Sequence, residues 1–452
     1  MKIKCLHLCN YRNIDEVTVN FGENLNVIYG ANGQGKTNLL EAVYLLALLS
    51  SHRTGKESEL IKFTQENCRI EGEFVRKFLP VSSSGNNQLD IKTGAETELR
   101  EEKLDLSISL QKLPYGKINR ELYKDDLPVG KSADFIGNFN AVLFAPEDLL
   151  LIKSAPQQRR QFINRILAQS KKIYLYNLQK FNRVLLGRNR LLKELQLLDR
   201  FEVLQIYRDL TADLFSENKP INIQEYWQNL LQNSSESEND KKEIIRQKIS
   251  LLQAIDVKFA DLAANIMQDR AELLRDFNEP IRKFQEKLSD GKEKLTIKYV
   301  TDGENPQNNA LETIKEKLIA KIRQNFSNDL HKGYTSVGPQ KDDVEFYLNE
   351  KNCRLFASQG QQRTVILSLK LAECDYLRTK TYQTPVLLLD DVLSELDERR
   401  KAALCASVAD LQVLLTCTDL ELLNKNWLHK QNVSYYHVEN GKILQAKEET
   451  SL

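Results

Sequence analysis

The stretch Gly30-Ala31-Asn32-Gly33-Gln34-Gly35-Lys36-Thr37 decides how the rest of this sequence is interpreted. It has the spacing G-x-x-x-x-G-K-[ST] of a phosphate-binding loop. The apolar run Leu25–Tyr29 before it has the length of a buried strand, and apolar residues recur at helical spacing between residues 37 and 48. A strand, a glycine loop and a helix place backbone N–H groups and the positive end of a helix dipole where a triphosphate would lie.

Two residues of this loop carry most of the predicted chemistry. Lys36 is expected to reach the β and γ phosphates as a point charge, and the Thr37 hydroxyl is expected to ligate Mg2+. The glycines are needed because a Cβ at their positions would hold the phosphates away from the backbone. The predicted nucleotide-binding residues are therefore Gly30, Ala31, Asn32, Gly33, Gln34, Gly35, Lys36 and Thr37.

A second apolar run, Val386-Leu387-Leu388-Leu389, is typical of a strand buried in a parallel sheet, and it ends in Asp390 and Asp391. Asp390 supplies the acidic group that a magnesium–triphosphate site requires, and we predict that it holds the metal through its waters. Asp391 points the other way along the strand end, so we predict that it is the catalytic carboxylate and orients the attacking water. Two aspartates at a strand end also cap turns, but the upstream phosphate loop favours the metal role.

The segment Ser358-Gln359-Gly360-Gln361-Gln362 begins another predicted helix and gives it a serine and a glycine at its N-terminus. This is a second phosphate-binding element in a chain that already has one. One nucleotide does not easily contact both elements of a single chain. We therefore predict a dimer of two chains face to face, in which Ser358 and the helix end of each chain meet the γ phosphate held by the other.

The composition indicates a globular protein with no global preference for nucleic acid. The chain of 452 residues has 41% hydrophobic and 28% charged residues and a formal net charge of only +1. A nucleic-acid contact therefore has to come from a local basic patch. The strongest apolar stretch, around Val43 to Leu49, is too short to span a bilayer, and no secretory signal opens the chain. Seven scattered cysteines without a C-x-x-C pair indicate a reducing cytoplasm and disfavour a metal site.

The predicted organisation is an α/β head interrupted by an all-helical lobe. Residues 1–150 carry the phosphate loop and several strands, residues 151–295 have long helical periodicity with few glycines, and residues 296–452 return to strand-like patterns. Residues 80–87 predict a mobile hairpin tip. The helical region is too short, and its heptads too irregular, for a long coiled coil.

The first third of the helical region is strongly basic. Between residues 153 and 200, twelve basic residues stand against only two acidic ones. This asymmetry predicts a surface that tracks a nucleic-acid backbone, with Tyr174, Tyr176 and Phe181 either stacking on bases or facing the core. A solvated helix face and a contact with the partner subunit are the alternatives. The candidate DNA contacts are Arg159, Arg160, Arg165, Lys171 and Lys172.

The turn Asn10-Tyr11-Arg12-Asn13 between the first two predicted strands brings an arginine close in sequence to the phosphate loop. Arg12 is therefore a candidate nucleotide contact. The alternative is an arginine in a solvated turn. Val19 and Phe21 alternate on one face of the second strand, which orients the hairpin toward a core.

The order of these motifs around a helical insertion resembles the ABC-type ATPase heads of the SMC class and, more closely, the RecF family of bacterial recombination mediator ATPases. The similarity runs nearly from end to end of the chain. The matching segments are Tyr11-Arg12-Asn13, residues 30–38 (GANGQGKTN), Phe144-Ala145-Pro146-Glu147-Asp148, Arg159-Arg160, Gly338-Pro339 with Asp342-Asp343, residues 358–364 (SQGQQRT) and residues 387–397 (LLLDDVLSELD).

The resemblance implies a role for each motif. Residues 30–37 hold ATP, and Asp391 acts as the hydrolytic carboxylate. Thr37 and Asp390 are expected to bind the metal. Ser358, Gly360 and Gln361 are expected to act in trans, and Asp397 is expected to lie at the dimer seam.

The resemblance also implies partners. Members of this family bind DNA when ATP brings two heads together, so single-stranded, gapped or junction DNA and an ATP-dependent homodimer are expected. They act with RecR and RecO to help load RecA during replication and the SOS response. Slow ATP turnover is expected, because the carboxylate of Asp391 is one methylene shorter than that of a glutamate and because the switch histidine of ABC transporters is missing.

Several departures from the motifs of related ATPases narrow the range of possible functions. Gln340-Lys341 stands where the family often has His-Arg, so no role is assigned to that loop. The last strand before the C-terminal region ends in Thr416-Cys417-Thr418 and lacks the switch histidine of ABC transporters, which disfavours a transport ATPase subunit. An ATPase-nuclease of the overcoming-lysogenization type would need a carboxylate cluster, but residues 419–452 have only scattered acids. A small-molecule kinase has no use for a signature that acts in trans.

Overall fold

The computed structural model describes residues 1–78, 100–212, 238–301, 306, 309–420 and 432–446. The chain forms two compact units. Unit 1 comprises Met1–Lys172, Asp276–Ile297 and Phe346–Leu452, and unit 2 comprises Ile173–Arg275 and Lys298–Glu345. The hairpin tip predicted at residues 80–87 lies outside the described residues.

The secondary structure combines strands of 2 to 13 residues with helices that reach 52 residues. The strands are β1 (Lys2–Tyr11), β2 (Ile14–Asn20), β3 (Leu25–Tyr29), β4 (Asn67–Phe78), β5 (Arg100–Lys112), β6 (Ile118–Lys124), β7 (Leu127–Pro128), β8 (Ala141–Phe144), β9 (Leu295–Val300), β10 (Asp343–Leu348), β11 (Lys351–Asn352), β12 (Val386–Asp390), β13 (Val413–Cys417), β14 (Val433–Glu439) and β15 (Lys442–Ala446). The α-helices are α1 (Lys36–Leu48), α2 (Ser132–Phe135), α3 (Leu150–Lys153), α4 (Pro156–Ser170), α5 (Lys172–Gln196), α6 (Arg200–Ala212), α7 (Glu238–Ser289), α8 (Leu311–Gln324), α9 (Phe326–Lys332), α10 (Cys353–Phe356), α11 (Gln359–Thr381) and α12 (Glu398–Ser407). Within the described ranges, no helix is long and apolar enough to cross a membrane.

The centre of unit 1 is a six-stranded sheet in the order β15-β14-β3-β13-β12-β8. The strands from β14 to β8 are parallel to their neighbours, and β15 is antiparallel to β14. All five residues of β12 and of β13 are buried, as expected for parallel strands covered on both faces. Because the strands are parallel, their carboxyl ends meet at one edge of the sheet, where Tyr29 is level with Cys417 and Asp390 with Thr416.

Helix α1 lies between the two large sheets of unit 1. It contacts β8, β12 and β13 of the parallel sheet, and β4 and β5 of an antiparallel sheet in the order β2-β1-β4-β5-β6-β7. The sequence predicted a helix with one apolar face, but burial extends around α1 and includes Glu41, Leu45 and Leu46. The difference arises because a helix covered on several sides has to be apolar around most of its circumference.

The first hairpin differs from its predicted form. β1 continues to Tyr11, which pairs with Ile14, so the connection is Arg12 and Asn13 rather than four residues. Arg12 has a left-handed φ of 55°, which helps to close so short a turn. Tyr11 is fully buried in the core of unit 1 and is not a turn residue.

The boundaries of the units differ from the predicted divisions at residues 150 and 295. Helix α4 resembles the following region in composition, but it buries Phe162, Ile163 and Ile166 and packs against α1 and α11 of unit 1. Unit 2 also takes in residues 298–345, where α8 and α9 lie. Sequence periodicity predicts helices, but it does not show which core a helix joins.

Unit 2 has its own apolar core, formed by side chains of α5, α6, α7 and α9. In this core Tyr207 stacks on Phe326 with 3.6 Å between the ring centroids. Tyr174 and Phe181 are also buried, and Phe181 contacts the ring of Phe259. Of the two alternatives left open for Tyr174 and Phe181, the structure therefore favours the core, whereas Tyr176 is half-buried.

Candidate nucleotide site

The phosphate loop leaves β3 at Gly30 and enters α1 at Lys36, as predicted. Gly30, Gly33 and Gly35 have φ values of 149°, 79° and 112°, a region that favours glycine. A Cβ at Gly30 would lie 2.3 Å from the carbonyl oxygen of Val438, whereas a Cβ at Gly33 would meet nothing within 4 Å and would project into open space. The loop therefore presents bare backbone where a chain of phosphates would approach, and this geometry fits a nucleotide.

Lys36 is folded back onto the loop. Its Nζ donates to the carbonyl oxygens of Gly30 at 2.7 Å and Ala31 at 3.0 Å. Burial lowers the pKa of Lys36, whereas the carboxylates of Asp391 and Asp390 act in the opposite direction. The ammonium group thus lies against the loop, at a place from which it can attract a triphosphate.

Thr37 and Asp390 meet at the carboxyl edge of the sheet. Thr37 Oγ1 donates to Asp390 Oδ1 at 2.9 Å, although 353 residues separate them in sequence. Thr416 Oγ1 lies 2.7 Å from the same carboxylate oxygen, a contact that no sequence motif predicted. A hydroxyl and a carboxylate are oxygen ligands of the kind that Mg2+ prefers, so this pair fits a metal ion beside a triphosphate.

Asp391 is held differently from Asp390. It has a left-handed φ of 51°, and its N–H donates to Thr416 Oγ1 at 2.9 Å. Its Oδ1 is buried, with no hydrogen-bond partner in the part of the chain that the structure describes. Burial raises the pKa of the carboxyl, Asp390 raises it further, and Lys36 opposes the rise. A carboxylate with an unpartnered oxygen and a raised proton affinity is able to accept a proton from water.

The C-terminal hairpin braces the phosphate loop, a contact that the sequence did not reveal. The N–H of Asn440 donates to Gln34 Oε1 at 2.6 Å, and the N–H of Gly441 donates to the Gln34 carbonyl at 3.1 Å. Asn13 Nδ2 donates to the same carbonyl at 3.2 Å. Asn440 and Gln34 are 406 residues apart in sequence, so no local pattern signals the contact.

Ser358 caps helix α11, as predicted. Its Oγ accepts from the N–H of Gln361 at 3.3 Å, and the N–H of Ser358 donates to Gln361 Oε1 at 2.9 Å. This reciprocal capping box fixes the start of the helix. Gln361 also donates to Glu293 Oε1 at 2.9 Å. Ser358 is exposed and Gly360 is half-buried, so the N-terminal end of α11 is accessible to a second chain.

Asp397 is joined to the helix of Ser358 through Arg400. The Oδ1 of Asp397 accepts from the N–H of Arg400 at 2.8 Å, and its Oδ2 accepts from Arg400 Nη1 at 2.5 Å. Arg400 Nε donates to Thr364 Oγ1 of α11 at 2.8 Å. The exposed Asp397 is therefore fixed relative to α11, and its place at a dimer seam stays a prediction. No sequence motif singled out Arg400.

Arg12 is engaged by groups of unit 1 itself. Its Nε and Nη2 donate to the two carboxylate oxygens of Glu41 at 2.9 and 2.6 Å, and its Nη1 donates to the Glu59 carbonyl at 2.9 Å. Glu41 is fully buried and also accepts from Tyr11 and Ser51. Burial alone would raise the pKa of Glu41, but these donors hold it below its usual value. Arg12 thus ties the first hairpin to α1, and its contact with a nucleotide stays a prediction.

Replacing Arg12 by alanine is expected to destabilise the chain by about 3 kcal/mol, because Glu41 would remain buried without its cation. The loss depends on pH. In the native chain the pKa of Glu41 is lowered, so its contribution is present at neutral pH and lost as pH falls through the folded pKa. In the variant burial raises the pKa of Glu41, so the variant loses stability as pH rises. Urea unfolding should show a deficit that is largest at neutral pH and shrinks toward about pH 4.

Two variants control this measurement. Arg69→Ala removes an exposed ion pair with Glu71 on β4 and should cost less than about 1 kcal/mol. Arg12→Ala combined with Glu41→Gln removes the buried charge as well, and should recover most of the lost stability. An equal loss in Arg69→Ala, or a deficit that does not change with pH, would contradict the assignment.

Two of the candidate DNA-binding arginines contribute to the interior of unit 1. Arg159 is buried, and its Nη1 donates to the carbonyl oxygens of Ser154 at 2.7 Å and Leu151 at 3.4 Å. Arg165 donates from Nη1 to Tyr44 Oη at 3.1 Å, which ties α4 to α1. Arg159 therefore stabilises the start of α4 instead of contributing to a surface. The prediction for Arg159 was wrong because the basic composition of α4 does not show which side of the helix packs against the rest of unit 1.

The remaining candidates lie nearer to the surface of unit 1. Lys171 and Lys172 are exposed, and Arg160 is half-buried. Lys172 forms an ion pair with Asp134 at 2.6 Å. The roles of Arg160, Lys171 and Lys172 in DNA binding stay predictions.

One mainly parallel sheet and its helices carry a phosphate loop, a strand that ends in two aspartates and a serine-capped signature helix. These features define an ABC-type ATPase head of the SMC class. The sequence model of the family described as RecF/RecN/SMC N terminal domain matches residues 2–443. More narrowly, the chain belongs to the RecF family. It is 35% identical to the DNA replication and repair protein RecF of Acetivibrio thermocellus, over 98% of this chain and 99% of the relative.

Other comparisons agree with this family. The RecF protein of Ruminiclostridium cellulolyticum is 32% identical, over 98% of this chain and 99% of the relative. A solved structure described as the recombination mediator protein RecF-ATPrS in the RecFOR pathway has a TM-score of 0.75 and 27% identity, and the match covers 99% of this chain and 98% of that chain. The corresponding RecF-ATP structure has a TM-score of 0.74 and 28% identity, and the match covers 98% of this chain and 97% of that chain. The predicted resemblance and fold class are confirmed.

Proposed function

We propose that this chain is an ATP-dependent DNA-binding protein of recombinational repair and replication-fork maintenance. Relatives that it matches over nearly their full length are named for DNA replication and repair. ATP brings two chains together on single-stranded or gapped DNA, and slow hydrolysis releases them. The chain acts in the cytoplasm with RecR and RecO, where it assists RecA loading and SOS induction.

ATP and Mg2+ are the cofactors in this proposal. Residues 30–37 would hold the phosphates, and Thr37 and Asp390 would hold the metal, which neutralises phosphate charge when it is bound. Lys36 attracts the triphosphate, and Asp391 accepts a proton from the attacking water. Two solved RecF structures described with ATP or ATPrS support the choice of nucleotide.

The observation that carries this proposal is the exposed, serine-capped start of α11. Ser358 and Gln361 satisfy each other in a capping box, and the adjoining Asp397 is also exposed. A helix N-terminus with free backbone N–H groups binds phosphate. Accessible groups of this kind, in a chain that also carries a complete phosphate loop, support a site completed by a second chain.

The test is the molar mass by light scattering without nucleotide, with ADP and with ATP, each repeated with gapped DNA. The mass should double only with ATP, and the doubled species should bind the DNA. A monomer under every condition would overturn the composite site. A dimer that forms equally without nucleotide would overturn the role of ATP as the switch.

A further inference from the structure

The turn that follows α9 presents an aromatic ring among lysines on the surface of unit 2. Tyr334 is 42% exposed. The Nζ of Lys341 lies 4.9 Å from its ring centroid and that of Lys332 lies 6.0 Å away, within the range of cation–π contacts. A Cβ at Gly333 would lie 3.3 Å from Cγ of Lys193, so the aliphatic part of a third lysine side chain lies beside the same turn. We call this set the Tyr334 patch, and it consists of Lys193, Lys332, Tyr334 and Lys341.

The charges of the Tyr334 patch are available for a ligand. All three lysines are exposed. None of them forms an ion pair with a carboxylate in the described ranges of the chain. Two other basic residues of α5 differ in this respect, since Arg188 is fully buried and Arg190 pairs with Glu194 at 3.1 Å.

A buried arginine fixes the start of the loop that carries the patch. Arg188 Nη1 donates to Thr335 Oγ1 at 2.9 Å and to Asp329 Oδ2 at 2.9 Å, and its Nε donates to Asp256 Oδ1 at 2.6 Å. Asp329 in turn accepts from the N–H of Ser336 at 3.0 Å through its other oxygen. The backbone on the C-terminal side of Tyr334 is therefore held by a charged network inside unit 2.

A second buried arginine fixes the far end of the same loop. Arg270 Nη1 donates to the carbonyl oxygen of Pro339 at 2.7 Å and lies 3.7 Å from Asp342 Oδ2. With both ends fixed, little backbone order has to be gained when a ligand binds to Tyr334, and a preformed surface binds more tightly for that reason.

We propose that the Tyr334 patch binds single-stranded DNA, with a base stacked on Tyr334 and the phosphates along the three lysines. A single strand offers unstacked base faces and regularly spaced negative charges, whereas a duplex hides its base faces. An acidic peptide matches the lysines but leaves the ring without a partner. The inference rests on the proposed function, and it locates a DNA contact at Tyr334, a residue to which no sequence motif assigned a role.

The test measures binding of a fluorescent oligothymidylate of about 20 nucleotides to the full chain with ATP and Mg2+, by anisotropy over a range of salt. Tyr334→Ala should weaken binding about five- to a hundredfold, whereas Tyr334→Phe keeps the ring and should change it less than about twofold. Replacing Lys193, Lys332 and Lys341 together by glutamine should reduce the slope of log K against log salt by about 2. The affinities for an oligouridylate and for a duplex of equal length show whether the site distinguishes DNA from RNA and single-stranded from double-stranded DNA.

Matched variants control for the loss of an exposed ring and of three exposed charges. Tyr115 is fully exposed in unit 1, and Tyr115→Ala should bind as the native chain does. Replacing Lys241, Lys242 and Lys258 by glutamine removes three exposed lysines of unit 2 and should leave the slope nearly unchanged. If the native chain binds DNA and Tyr334→Ala binds equally well, the patch is refuted while the proposed function stands. A native chain that binds no DNA with ATP overturns both.

A second measurement does not depend on the folding of any variant. The native chain is irradiated with an oligothymidylate that carries 5-iodouracil, which crosslinks to aromatic side chains stacked on it, and the modified residue is located by mass spectrometry. Crosslinking at Tyr334 supports the proposal. Crosslinks found only at other positions overturn it.

Discussion

Ser358→Arg is expected to abolish the ATP-dependent dimer and to lower ATP turnover by at least about a hundredfold, while a single chain still folds and binds ATP. The Ser358 hydroxyl caps α11, and its exposed position is where the proposed site receives the phosphate held by the other chain. An arginine there removes the cap, places a positive charge at the positive end of a helix dipole and fills the gap that the terminal phosphate has to bridge. Light scattering with ATP and binding of a fluorescent ATP analogue measure the two effects separately.

Two variants separate these contributions to the Ser358→Arg effect. Ser358→Ala removes only the cap, which costs about 1 kcal/mol, and should weaken the dimer without abolishing it. Thr379→Arg adds an arginine at the exposed opposite end of α11 and should leave mass and turnover unchanged. A Ser358→Arg chain that still doubles its mass with ATP would refute a site shared between chains. Loss of ATP binding by the monomer would instead show that Ser358 acts within its own chain.

Local sequence patterns predicted the elements of the site well. The glycine loop, the apolar run that ends at Asp390 and the capping box at Ser358 each depend on residues within a few positions of one another, and each has the predicted secondary structure. The meeting of Thr37 with Asp390 also followed, because the parallel strands of one sheet bring their carboxyl ends to the same edge, even where β13 lies between β3 and β12.

The contacts that the sequence did not predict join distant segments through polar groups. The local sequence around Arg12 is the same whether the side chain faces solvent or forms a bidentate ion pair with Glu41. Only the position of α1 between two sheets determines which of the two occurs. Arg188 was counted as part of a basic surface because its sequence neighbours are basic. It is buried because Asp256 and Asp329, far along the chain, pair with it. Buried ion pairs of this kind leave no periodic signal, so a count of charge along the sequence overestimates the charge on the surface.

Asp391→Asn is expected to lower ATP turnover by about a hundredfold or more, while ATP still brings two chains together. The carboxylate has a buried oxygen without a partner among the described residues, and burial raises its pKa, so it is suited to take a proton from water. An amide cannot accept that proton. Asparagine is also the cleanest replacement because it tolerates the left-handed φ of 51° found at this position, whereas a longer side chain would add backbone strain. Single-turnover hydrolysis and the lifetime of the ATP-bound dimer on DNA measure the two parts of the expectation.

Asp390→Asn is the matched control for Asp391→Asn, because it makes the same chemical change one residue earlier. Asp390 accepts from Thr37, so its loss should weaken binding of ATP with Mg2+ and prevent the dimer from forming. The two variants are therefore expected to fail in opposite ways: Asp391→Asn should accumulate a long-lived dimer on DNA, and Asp390→Asn should remain a monomer at ATP concentrations that saturate the native chain. If both variants lose ATP binding equally, Asp391 belongs to the metal site with Asp390. If Asp391→Asn turns over ATP at the native rate, another group activates the water, and the unpartnered oxygen of Asp391 has no part in hydrolysis.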